Sequence, residues 1–322
     1  MATVKVGLFH QFIDKFLSLY VLLRHGKLPD EYKYFVRDNY YTKLVQLKYI
    51  IRDFIIRKPY KITDYNGEFA PELQFVLPFA YWHYKNNTLK KTISSQYSKE
   101  LYFFSPEHEE KHMERVWENC YNWEIPGILY NIQYNFKKWE AVPYKEHFKN
   151  ETYIFEKPIL IIANRFNMEW YGPPISYFDI ERIDFTIKNL SEKYQIIYNR
   201  PGQGKITMDN SEIYELNEIE WLRTNHPSVL LMDDLYERDK NNVSSYNHFQ
   251  FLVYANANHF VSIHGGTATL ASCFGGLNLV LSKKGPEHFF GCYQKLYPKL
   301  SGAKVLHAKT DQEYEKMLIE NF

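Results

Sequence analysis

Tyr254-Ala-Asn-Ala-Asn-His-Phe-Val-Ser-Ile-His264-Gly265-Gly266-Thr267-Ala-Thr269-Leu-Ala-Ser272-Cys-Phe-Gly275-Gly276-Leu-Asn-Leu-Val-Leu281 reads as a short apolar strand, a glycine turn, a helix, a second glycine turn and another strand. Two adjacent glycines let the backbone come close to a ligand, and Thr267 opens the helix with a hydroxyl where the helix dipole is positive. The stretch predicts a phosphate seat at the carboxyl end of a strand, where open α/β sheets bind ligands. The plain alternative is that Gly265 and Gly266 only turn a strand tightly into a helix. Gly275 and Gly276 then end that helix as an αL cap would.

Upstream, Lys157-Pro-Ile-Leu-Ile-Ile-Ala163-Asn164-Arg165 has the length and branched residues of a buried parallel strand. Residues 179 to 193 predict an amphipathic helix. Gln195–Tyr198 and Val229–Met232 predict strands, and Ser262 and Leu279 lie in two more. Strand, helix, strand in alternation is the pattern of a doubly wound sheet. Lys137 to Asn150, with Pro143 and mixed charges, lacks periodicity and predicts a linker, so the chain divides into residues 1–150 and 151–322.

The first region opens on a helix in which Phe9, Phe12, Ile13, Phe16, Leu19, Tyr20 and Leu23 repeat at helical spacing. Core packing is the default for that stripe, with a membrane-surface or partner-binding role as the alternative. A helix is expected from about Tyr41 to Ile56, then a strand and loop over Tyr60–Phe69. Pro71 to Tyr84 reads as helical until Pro78 complicates it. Leu101–Phe104 predicts a strand, and Ser105-Pro106-Glu107 predicts a helix start, in the order of cap, N1 proline and first-turn acid.

With 322 residues the chain is comfortable for two domains, and nothing in a net charge of +1 argues for nucleic acid or an anionic membrane. The 28 Tyr and 23 Phe include ring types that stack on sugars and bases, but an AT-rich coding bias is the plainer reading, with most of the rings in the core or on ordinary surface. Cys120, Cys273 and Cys292 are too scattered for a disulfide framework or a cysteine metal site, which fits a reducing, cytoplasmic compartment. Phe16 to Leu23 is preceded by Asp14 and Lys15 and followed by no small-residue cleavage site, so no signal peptide is expected. No run reaches the ~20 apolar residues of a membrane span, so the expectation is a soluble protein with peripheral membrane contact at most.

Two motifs compete for attention. His108-Glu109-Glu110-Lys111-His112 matches H-E-x-x-H, and a zinc-dependent hydrolase using His108, Glu109 and His112 stays as an alternative. Both intervening residues are charged and no third ligand follows at a familiar spacing, so a solvated charged helix is the plainer reading. Arg200-Pro-Gly202-Gln-Gly204-Lys205-Ile-Thr207 has glycines and a lysine but neither the spacing nor the hydroxyl of a Walker A loop, and no G-x-G-x-x-G occurs.

The phrases Pro158-Ile-Leu-Ile-Ile-Ala-Asn164-Arg-Phe-Asn167-Met-Glu169-Trp170, Tyr194-Gln-Ile-Ile-Tyr198-Asn-Arg200-Pro201, Asp209-Asn-Ser211 and His264-Gly-Gly-Thr resemble the C-terminal lobe of GT-B glycosyltransferases. The likeness is to those of bacterial surface-polysaccharide loci and of large algal DNA viruses. Gly67-Glu68-Phe69 followed by a helix, with Tyr102-Phe-Phe-Ser105-Pro-Glu-His108 after it, resembles the matching N-terminal lobe.

The resemblance implies an α/β fold of two Rossmann-like lobes facing across a cleft, a nucleotide-sugar donor on the second lobe and a glycan acceptor from the first. It also implies catalysis with no cofactor and no bound metal. No Asp is followed two positions later by another, so the D-x-D metal clamp is absent. Gly265, Gly266 and Thr267 would then cradle the diphosphate, with Asn164, Arg165, Arg200 and Lys205 nearby. Glu287 would meet a donor ribose or sugar hydroxyl, or be a solvated loop acid. His264 would bond a phosphate or the acceptor, or be a satisfied buried histidine. Asp233 and Asp234 face the base or ribose, or cap a helix. The base that takes the acceptor proton is expected at Glu68, with Asp64 and His83 behind it. The function expected is transfer of one sugar from a UDP-sugar, UDP-xylose or a UDP-hexose, to a glycan hydroxyl. A GDP-fucose transferase and a noncatalytic nucleotide- or glycan-binding module are the alternatives.

Overall fold

The structure, a computed structural model, describes residues 8–116, 124, 131–132, 134, 136–169, 172–201 and 213–322. Lys205 and the Asp209–Ser211 phrase lie outside the described residues.

The chain begins with α1 (Leu8–His25) and α2 (Lys33–Leu47), which pack on one another. A π-helical turn, Arg52–Ile56, leads into β1 (Lys61–Asp64). A helical run of α3 (Phe69–Pro71), a π turn (Glu72–Val76) and α4 (Leu77–Lys85) crosses over to β2 (Leu89–Ser95). β3 (His108–His112) completes a three-stranded sheet of order β1-β2-β3, parallel throughout. After α5 (Tyr144–Phe148) the second sheet is built from β4 (Ile159–Ala163), β5 (Gln195–Asn199), β6 (Leu230–Leu231), β7 (His259–Ile263), β8 (Leu277–Leu281) and β9 (Lys304–Ala308). Its helices are α6 (Ile180–Leu190), α7 (Glu218–Asn225), α8 (Met232–Asp239), α9 (Tyr246–Ala255), α10 (Gly266–Cys273), α11 (Pro286–Phe290), α12 (Cys292–Lys295), α13 (Tyr297–Ser301) and α14 (Asp311–Asn321).

The second sheet has six parallel strands in the order β6-β5-β4-β7-β8-β9. The chain winds outward from β4 in one direction, returns to β7 on the other side, and winds outward again. β4 is buried along its whole length because helices cover both faces. Ile159, Ile161 and Ala163 pack with Phe249, Tyr254 and Leu270 on one face, while Leu160 and Ile162 pack with Ile183, Ile187, Tyr314 and Leu318 on the other. This alternation is the two-residue period of a strand reading two cores. The first core continues past the sheet to Leu73, Phe75 and Leu77 of the other unit.

Several expected elements take other forms. Residues 108–112 are strand rather than helix, because the segment pairs with β2 through Thr92–Ser95, and the N1 proline signal at Pro106 is overridden by that ladder. Leu101 belongs to a 3-10 turn, Lys99–Tyr102, not to a strand. The helix expected over residues 41–56 is broken between α2 and the π turn, and Arg57 ends it in the left-handed region at φ 50°. Pro78 does not break its helix. It sits in the first turn of α4, just past the π turn, where its missing N–H and its ring are tolerated. The expected linker carries α5, whose Tyr144 and Phe148 are buried in the shared core. The α1 stripe faces outward: Phe12, Phe16, Leu19 and Leu23 are exposed, while Leu17 and Val21 on the opposite side are buried.

Candidate functional site

The winding reverses between β4 and β7, and the carboxyl ends of two strands that diverge in this way open a crevice between their loops. Asn164 and Arg165 leave β4 there, and His264, Gly265 and Gly266 leave β7. Gly265 stands at φ 82°, a conformation open to glycine, and precedes α10 without any side-chain cap on the helix. A Cβ on Gly265 would come within 2.7 Å of the Arg165 Nη1 atom, so the guanidinium lies directly against the glycine backbone. One cation and the positive end of a helix therefore converge, which is the requirement for holding a diphosphate.

Buried groups line the same place. Glu169 Oε2 lies 3.5 Å from His264 Nε2, with both side chains buried. Burial raises the Glu169 pKa; Arg165 opposes that shift and Glu287 adds to it. Burial holds the His264 imidazole well below its usual range, with Arg165, His288 and His307 adding to the effect, so the ring is neutral near pH 7. Glu287 is buried in the first turn of α11, and its charge adds to burial in pushing the Tyr293 and Tyr297 hydroxyls well up. It is not a solvated loop acid.

The first unit reaches this crevice through the Gly67-Glu68-Phe69 loop. A Cβ on Gly266 would stand 3.1 Å from Phe69 Cδ1, which puts Glu68 one residue from a ring that touches the start of α10. Gln74 Nε2 also donates to Thr269 Oγ1 at 2.9 Å, tying the helical run after the loop to α10. The loop is held from behind. Buried Arg115 donates to the Gly67 carbonyl at 2.6 Å and to Glu72 Oε2 at 2.6 Å, and the Tyr102 hydroxyl donates to Glu72 Oε1 at 2.6 Å. Gly67 admits no side chain, because a Cβ would overlap the Tyr65 hydroxyl.

The remaining predicted residues fall in different places. Thr267 turns its hydroxyl back to the Ile263 carbonyl, as a helical threonine does, which leaves its backbone as the part available to a ligand. Asn164 is completely buried. Its Nδ2 donates to the Phe178 carbonyl and the Tyr198 hydroxyl, and its Oδ1 accepts from the Arg165 and Phe178 amides, so it shapes the loop from within. Arg200 gives its guanidinium to Glu218, Nε to Oε1 at 2.5 Å and Nη2 to Oε2 at 3.2 Å, rather than to the crevice. Asp233 and Asp234 lie in the first turn of α8, where Asp234 pairs with Arg223 at 2.9 Å. Asp64 ends β1 and meets His112 Nε2 at 2.6 Å. His83 is fully buried with Nδ1 on Thr88 Oγ1 at 2.7 Å, and burial, Lys61 and Lys138 lower its pKa to about 2.

The H-E-x-x-H residues do not form a helical face. On β3, His108 bonds Thr92 Oγ1 at 2.8 Å, His112 bonds Asp64, and Glu109 pairs with Lys91 at 2.7 Å. Among the described residues the group close enough to share a cation is Asp53, His83 and Glu124. There Lys61 already bonds Glu124 and Lys138 bonds Asp53, so two ammonium groups supply the positive charge that those carboxylates need.

Sequence reasoning missed Arg115, Glu72 and Phe69, whose roles depend on partners far along the chain. It also assigned no role to Glu169, although that residue lies within a phrase already singled out.

No family model and no curated protein matches the chain. Among solved structures, the wall teichoic acid polymerase TagF is similar with a TM-score of 0.32 and 8% identity, over 98% of this chain and 89% of that one. A variant of TagF gives 0.30 and 9%, over 98% and 92%. Similarity at this level carries no argument about activity.

Proposed function

We propose that the protein is a glycosyltransferase that moves a sugar from a nucleotide-sugar donor, a UDP-pentose or UDP-hexose in the first instance, to a glycan hydroxyl, without a metal and with inversion. The observation that carries this reading is the convergence of Arg165, Gly265 and the uncapped start of α10 at the winding reversal, with the Glu68 loop packed against it. The two sheets then act as the donor and acceptor lobes, divided near residue 150.

In this reaction Glu68 takes the proton of the acceptor hydroxyl, whose oxygen attacks the anomeric carbon. The bond from that carbon to the diphosphate breaks, and the leaving oxygen keeps the electron pair. Arg165 and the first amides of α10 stabilise the charge that grows on the diphosphate, as preoriented donors do. Neutral His264 hydrogen-bonds a phosphate oxygen or the sugar, and Glu169 and Glu287 accept from donor hydroxyls. Asp64 is the alternative base. His83 exposes no surface to a substrate and belongs to a buried charge cluster with Asp53 and Glu124.

The test is a thermal-shift screen against UDP, GDP, CMP and ADP, followed by a transfer assay with the donor of the stabilising nucleotide, in buffer with and without EDTA. Stabilisation by UDP and EDTA-resistant transfer are expected, with Glu68→Gln lowering kcat by roughly 10²- to 10⁴-fold at nearly unchanged donor affinity. Nucleotide binding without turnover of any donor would assign the protein to the noncatalytic class. Stabilisation by GDP alone would move the donor to a GDP-sugar.

A further inference from the structure

α1 and the turn that follows α2 each expose apolar residues where water would be expected to meet polar ones. Phe12, Phe16 and Leu23 of α1 are 70%, 59% and 78% exposed, on the side opposite the core-facing Leu17 and Val21. Past α2, Ile51, Ile55 and Ile56 are 59%, 75% and 50% exposed. An α-helix apolar on both sides has two apolar partners, and the fold supplies α1 with one.

The charge around the isoleucines points to their partner. Lys48, Arg52, Arg57 and Lys58 are all exposed beside the isoleucines. The one acid between residues 39 and 58 is Asp53, which is buried against Lys138. Apolar side chains interleaved with cations match the boundary between acyl chains and anionic headgroups. None of the described helices is long and apolar enough to cross a membrane, so the contact is one that lies on the surface. We propose that the turn carrying Ile51, Ile55, Ile56, Arg52 and Arg57 docks the protein on a membrane surface rich in anionic lipid.

The full chain is mixed with vesicles of phosphatidylcholine alone or with phosphatidylglycerol admixed, and the pelleted fraction is measured at low and high salt. Pelleting with the phosphatidylglycerol vesicles, weakened by salt, is expected. At about five-fold per cation near a charged surface, Arg52→Glu with Arg57→Glu should lower the partition coefficient by at least ~25-fold. Ile51→Ser with Ile55→Ser should lower it at least about tenfold, with the melting temperature unchanged because both side chains are exposed. Failure to pellet with either vesicle would overturn the proposal, as would binding that neither pair of substitutions changes. So would a concentration-dependent dimer that Ile51→Ser with Ile55→Ser dissociates in a chain that ignores vesicles, which would assign the face to a second copy.

Discussion

Replacing Arg115 by Met removes the guanidinium that, among the described residues, ties the Gly67 carbonyl to the carboxylate of Glu72. The Arg115 side chain is 5% exposed and that of Glu72 is 0% exposed, so the substitution strands a buried carboxylate that keeps the Tyr102 hydroxyl as a donor. Breaking one side of such a pair costs about 3–5 kcal/mol, a large share of a domain stability of about 5–15 kcal/mol. Replacing both partners, Arg115→Met with Glu72→Met, removes the stranded charge and should recover most of that loss, leaving roughly 1 kcal/mol for the unpaired Tyr102 hydroxyl. Urea denaturation of the parent, both single variants and the double variant closes the cycle. The expected coupling is at least ~2 kcal/mol. Transfer activity should behave differently, because the Gly67 carbonyl lacks its donor in the double variant as well, and the Glu68 loop stays misplaced. Losses that simply add, or a double variant that recovers both stability and full turnover, would refute the claim that Arg115 positions this loop.

Three further outcomes follow from the same structure. Gly276 and Gly302 share a positive φ of 73° and 81°, but a Cβ at Gly276 would overlap the Asn258 carbonyl while one at Gly302 meets nothing within 4 Å. Gly302→Ala should cost about 1–2 kcal/mol of backbone strain and Gly276→Ala at least ~3 kcal/mol; equal losses in chemical denaturation would discard the steric argument. Burial lowers the His83 pKa to about 2 from 6.5, so the unfolded chain holds the extra proton between those values. Its contribution is intact above pH 6.5 and is lost as pH falls, by roughly 1.4 kcal/mol per pH unit; His83→Gln should flatten the acid slope of unfolding by about one proton, and an unchanged slope would contradict the assignment. Asn164→Ala leaves the Phe178 amide and carbonyl and the Arg165 amide without their partner, and should cost about 3–5 kcal/mol while weakening nucleotide binding through the displaced Arg165 loop. Unimpaired binding in a destabilised variant would separate Asn164 from the site.

The parts of the fold that could be read from the chain are those whose signals are local. β4, β5, β7 and β8 are runs of branched or alternating apolar residues, and α6 has its Asp179 cap with a 3.6-residue apolar period. β3 was illegible because its pattern, charged and opened by Ser-Pro-Glu, is that of a helix start, and only the ladder to β2 makes it a strand. The α1 stripe was legible as a stripe but not as to its side, since Leu17 and Val21 offer the core an equally apolar face.

At the site, Gly265 and Gly266 were singled out by glycine chemistry after a strand and Arg165 by the family resemblance alone, and the structure brings the three together. Asn164 and Arg200 carried equally suggestive chemistry, yet their polar atoms are taken by Phe178, Tyr198 and Glu218. Whether a polar group remains available to a ligand depends on tertiary neighbours, which no local pattern reports.

The most direct measurement of the central claim is a calorimetric titration of UDP and of uridine into the parent and into Arg165→Gln. If the diphosphate rests against Arg165 and the start of α10, UDP binds the parent far more tightly than uridine, and the substitution weakens UDP roughly 10- to 100-fold, the worth of a charged hydrogen bond, while leaving uridine unchanged. UDP affinity that survives the loss of Arg165, or an equal loss for both ligands, would contradict it.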